Sequence, residues 1–160
     1  MINEETKKAF LSDQLYYEFI QLFYCIVEVR KLNPDESKIS VPNHLAVAFS
    51  THARNLWEFF YAPDKHPNKS PRINHFITNW DVTPNIPVNK YYGVLNKQLS
   101  HLDYGRSKTK EPPPVAFIYS AYRHFRLLIR EFLSKLPKDP TIQNLEKLRE
   151  IIKTDISIYP

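Results

Sequence analysis

The chain has 160 residues, 42% of them hydrophobic and 14% aromatic, with a formal charge of +5. That is apolar material enough for one packed domain over 1–160 and too much for a disordered chain. Only Gly93 and Gly105 stand against thirteen prolines, which excludes glycine-rich phosphate loops and argues against turn-rich β sandwiches and barrels.

A long first helix is predicted over 6–32, where Leu15, Phe19, Leu22, Phe23, Ile26 and Val29 recur at steps of three and four. Tyr16, Ile20, Tyr24 and Val27 widen its apolar face, which predicts a central helix. Within it lies Cys25, the one cysteine, which reads as a small buried hydrophobe rather than a nucleophile. A single cysteine leaves no disulfide within one chain and no thiolate zinc site. Asn33-Pro34-Asp35 ends the helix, since a residue before proline is pushed out of helical geometry.

The second predicted helix runs from about 42 to 61, with Ser40 as cap and Pro42 in the first turn. Its stripe is Leu45, Phe49, His52, Leu56 and Phe59 or Phe60. Residues 62–87 hold five prolines and form an irregular excursion. Inside it, Ile73, Phe76, Ile77 and Trp80 predict one short helix docked on the core. A third helix is expected over 88–103, with Val88, Tyr92, Leu95, Leu99 and Leu102 as its stripe. A polar stretch with Gly105, Arg106, Lys108 and Lys110 follows it. The fourth helix, 113–136, has the clearest stripe: Val115, Ile118, Tyr122, Phe125, Ile129, Phe132 and Leu136. A last helix over 140–153 turns Ile142, Leu145, Leu148 and Ile152 inward. These elements predict an all-α fold: an antiparallel four-helix bundle with an extra C-terminal helix and a proline-rich excursion.

Three polar groups break the pattern. His52 sits where the second helix should present a leucine, and Asn55 shares nearly the same face. An imidazole and an amide buried there need partners. They either fix the register of two helices or line a small binding pocket. Arg54 stands four residues before Glu58, the spacing of an intrahelical ion pair. On the fourth helix, Arg123, Arg126 and Arg130 form a positive stripe that could follow a phosphate backbone, or else a solvated face paired with acids. In the third helix, Lys97 and His101 share a face off the buried stripe, and His101 lies near Asp103, Tyr104 and Arg106. A histidine beside an arginine suits acid–base chemistry on a phosphodiester. The imidazole moves the proton and the guanidinium holds the charged oxygens. The same residues also make an ordinary polar helix end. The six histidines show no metal-ligand spacing, so neither metal nor cofactor is expected.

The segment Asn96-Lys97-Gln98-Leu99-Ser100-His101 resembles the motif of the HEPN superfamily of small helical-bundle proteins. There an arginine is followed four to six residues later by a histidine. The resemblance implies metal-independent RNA cleavage, with the ribose 2′-hydroxyl attacking the adjacent phosphate across a homodimer, in a toxin or defence system. It also admits noncatalytic members that bind nucleotides or partner proteins. His101 matches the motif and Lys97 matches it loosely. The arginine position falls at Leu95 or Asn96, neither of them basic, and Arg106 lies on the other side of the histidine. The expectation is a HEPN-like protein acting on RNA or nucleotides with Asn96, Lys97, His101 and Arg106 as catalytic candidates. The alternative is a noncatalytic module for a protein or small ligand. With no apolar leader among its first residues and no membrane-length apolar run, the chain reads as cytoplasmic, without a membrane partner.

Overall fold

The apolar stripes become helices. The structure, a computed structural model, describes residues 3–32, 41–61, 71–81, 115–139 and 142–154. Helix α1, Glu4–Ala9, starts at Asn3, whose side-chain oxygen accepts the Thr6 amide at 2.7 Å. The chain continues without a break through a π-helical segment, Phe10–Leu15, into α2, Tyr16–Leu32. A π turn aligns residues five apart, so Phe10 and Leu15 reach the same side. Leu15 is buried, and Phe10 meets Phe59 and Phe76 with ring centroids at 5.2 and 5.8 Å.

Helix α3, Asn43–Tyr61, takes its first backbone bond from Ala46 to the Pro42 carbonyl. Its buried face is Ala46, Phe49, Ala53, Leu56, Phe59 and Phe60. It runs antiparallel to the first helical stretch: Phe59 meets Phe10, while His52 and Asn55 meet Glu18. Where a short helix was expected, the chain makes one 3₁₀ turn, Ile73–His75. Asn79 adopts a left-handed φ of 60°, incompatible with continuing the helix. Phe76, Ile77 and Trp80 still dock on the core. Trp80 stacks near Phe60 and Phe132, with the Lys135 ammonium 4.7 Å over its ring.

Helix α4, Val115–Lys135, buries every third or fourth residue from Val115 to Phe132 as its stripe predicted. It runs in the same direction as α3, since Phe117 meets Phe49 and Phe132 meets Phe59. Helix α5, Gln143–Thr154, lies antiparallel to α4 and buries Leu145, Leu148 and Ile152. Two arginines join the pair reciprocally. Arg126 of α4 donates to the Ile152 carbonyl near the end of α5 at 2.8 Å. Arg149 of α5 donates to the carbonyls of Leu133 and Leu136 at the end of α4, at 2.5 and 3.3 Å. Each guanidinium thereby meets carbonyls that a helix end leaves without partners.

The described residues are mostly helical and contain no strand, so the all-α class holds. The predicted third helix, 88–103, lies outside them. None of the described helices is long and apolar enough to cross a membrane. Helix α2 packs on α3, α4 and α5, as a central helix should, and buries Phe19, Leu22, Ile26 and Val29. Its far side is less covered: Tyr17 is 52% and Tyr24 56% exposed.

Candidate functional site

His52, nearly buried, and Asn55, which the sequence placed inside but which is exposed at the edge of that face, find one partner on α2. His52 Nδ1 lies 2.6 Å from Glu18 Oε2, and Asn55 Nδ2 lies 3.0 Å from Glu18 Oε1. For the imidazole to donate, Nδ1 must carry the hydrogen. The His52 side chain is only 12% exposed and that of Glu18 21%. Tyr17 shields the imidazole edge-on, with centroids at 5.6 Å. Each carboxylate oxygen therefore receives one donor from α3, and Glu18 is held from both sides.

Glu18 lines a cleft of about 200 Å³ between the π segment and α3. Its apolar floor is Phe10, Leu15, Leu56 and Phe59, and Gln14, Asn55, Glu58 and Arg72 complete the wall. Glu58 is anchored by Arg54, with Nε at 2.9 Å on the same helix. Arg72, arriving from the segment before the 3₁₀ turn, stands 3.8 Å from its second oxygen. The Arg72 amide donates to His75 Nδ1 at 2.8 Å, which closes the start of the 3₁₀ turn. The cleft thus offers an acceptor at Glu18, donors at Arg72, Gln14 and Asn55, and an apolar base. Small-ligand sites have this constitution.

Of the sequence candidates, His52, Asn55 and Arg54 gather around this cleft. Glu18 and Arg72 are its unforeseen members. The need of a buried imidazole for an acceptor was the signal that could have found Glu18, the carboxylate flanking the stripe between Leu15 and Leu22. The three α4 arginines differ in surroundings. Arg123 and Arg130 are exposed, whereas Arg126 is drawn in to the Ile152 carbonyl. Asn96, Lys97, His101 and Arg106 lie outside the described residues.

Three further groups are perturbed. His124 Nε2 meets the Tyr61 hydroxyl at 2.7 Å. Burial lowers the His124 pKa and raises that of Tyr61, the latter with help from the Glu131 charge. The buried Cys25 thiol is pushed up to about 11 by desolvation, which makes it a poor nucleophile. Among the described residues no three His, Cys, Asp or Glu side chains gather as a metal site would require. No family model matches this chain, and neither does any curated protein or solved structure.

Proposed function

We propose that this chain is a helical binding module that holds a small polar ligand in the cleft between the π segment and α3. The observation behind this reading is Glu18, whose carboxylate is positioned by His52 and Asn55 at the wall of a partly apolar cleft. The cleft is small, about 200 Å³, and suits a small ligand. Its chemistry follows from the wall: a donor such as an ammonium for Glu18, and an acceptor such as a carboxylate for Arg72. A zwitterion of amino-acid size meets both needs. Calorimetric titration with a panel of amino acids and small amines tests the reading. Binding that is weakened by Glu18→Gln and by Arg72→Gln supports it. No heat with any member, or heat unchanged in both variants, refutes it.

A second reading is the HEPN-like one, an RNA-directed protein of a toxin or defence system. Exposed Arg123 and Arg130 on α4 favour a polyanion partner. The antiparallel four-helix bundle belongs to this reading. Helices α3 and α4 run the same way, and in this reading the apolar stripe of 88–103 marks the antiparallel helix between them. Incubating the protein with assorted RNAs in EDTA separates the two readings. Cleavage to 2′,3′-cyclic phosphate ends, lost in His101→Ala and slowed in Arg106→Ala, supports the ribonuclease. Cleavage equal in His101→Ala, or no cleavage, leaves the ligand-binding module.

A further inference from the structure

Helix α2, with the end of the π segment before it, has a second seam on the side away from its core face. Asp13, Tyr17, Ile20, Tyr24, Val27 and Lys31 follow one another at steps of four, three, four, three and four. That is the spacing of coiled-coil seam positions, which repeats over seven residues. The core side of the same helix is carried by different residues, Phe19, Leu22, Ile26 and Val29. Tyr17 and Tyr24 are more than half exposed, and Ile20 and Val27 between them are partly buried. A helix buried on one face only gains nothing from apolar residues on the other, where a polar face is usual.

The seam is also palindromic about Leu22. Laid antiparallel on a copy of itself, it sets Tyr17 against Val27 and Ile20 against Tyr24, and the two-fold axis repeats both layers. The ends then bring Asp13 of each copy to Lys31 of the other. Both end groups are exposed. Lys31 holds Glu28 of its own helix at 2.6 Å, and Asp13 makes no ion pair among the described residues. A parallel pairing would instead set Asp13 on Asp13 and Lys31 on Lys31, so the charges select the antiparallel arrangement. A two-fold interface requires just this self-complementarity.

We infer that α2 is the homodimer interface of this protein, pairing antiparallel with α2 of a second copy through the Tyr17–Lys31 seam and closing at each end on an Asp13–Lys31 bridge. The contact is one helix against one helix, at the small end of specific interfaces, so the dimer exchanges with monomer.

Sedimentation velocity on the full chain, from low-micromolar to millimolar concentration, tests this. Wild type shifts from monomer to dimer across that range. Asp13→Lys and Lys31→Asp each weaken the dimer by about tenfold or more, because every end then carries like charges. The double swap, Asp13→Lys with Lys31→Asp, restores it. An equimolar mixture of the two single variants forms heterodimers more readily than either variant self-associates. All variants keep the wild-type circular dichroism, as exposed sites should. A wild-type chain that stays monomeric throughout overturns the inference. So does a dimer indifferent to the swaps, which would place self-association on another surface.

Discussion

Glu18 and His52 meet at 2.6 Å across the antiparallel contact of α2 with α3, and neither could be buried there without the other. Replacing His52 by leucine should keep the fold and leave one Glu18 oxygen without its donor. The expected cost is about 1–3 kcal/mol, toward the lower figure because water still reaches Glu18. Glu18→Gln should cost less, since an amide oxygen still accepts. Urea denaturation of the three proteins checks the order.

The pair formed by Tyr61 and His124 should make stability depend on pH. His124 is buried and its pKa lies below the ordinary 6.5. Between that lowered value and 6.5 the unfolded chain binds the extra proton and the folded chain does not. Stability therefore rises with pH across this window and is lost as pH falls through it. In the tautomer whose Nε2 accepts the Tyr61 hydroxyl, acid also takes that lone pair. Denaturation midpoints measured from neutral to mildly acidic pH should fall in wild type, and His124→Gln should flatten that dependence.

Arg149 closes the end of α4, and its removal should loosen that end first. Arg149→Met should destabilise the chain by about 1–3 kcal/mol, because two carbonyls lose a charged donor. Arg149→Lys should recover only part of this, since one ammonium lacks the fork that reaches both Leu133 and Leu136. Amide exchange in the last turn of α4 should accelerate in both variants, more so with methionine.

Cys25 should ignore thiol reagents while the chain is folded. With its pKa at about 11 and its sulfur buried, little thiolate exists near pH 8 and none is reachable. Labelling should begin only as urea unfolds the protein, and its midpoint should coincide with the loss of helical signal. Labelling in native buffer at the rate of a free thiol would contradict the packing of α2.

The apolar stripes of the sequence located α2, α3, α4 and α5 because one face of each is buried and the period of burial is the period of the helix. Pro137 marked a stop for a local reason, which neighbours in space cannot override. The predicted burial and partnering of His52 were legible on the same ground. Which partner it would find was not, because Glu18 is thirty-four residues away and only the packing of α2 on α3 brings it near. Arg126 shared a face with Arg123 and Arg130, yet only the approach of α5 gives it the Ile152 carbonyl. The short helix at Ile73 failed at Asn79, a residue tolerant of left-handed backbone, whose effect periodicity does not register. The π segment left no trace in spacing either, because Phe10 and Leu15 satisfy it only once Phe59 and Leu56 form the opposite wall.

The π segment amounts to one residue of slack wound into a continuous helix. Deleting a single residue there, Ser12 for example, would let 10–15 relax to an ordinary α turn at no loss of helix. The residues before it would keep nearly their phase on α2, because the deletion takes up the slack of the i→i+5 turn and closes it as i→i+4. Lys8 would still face Asp139, its partner at 3.0 Å. The same deletion in the middle of α3, which carries no such slack, would turn one half of that helix by about 100° against the other and part its buried face.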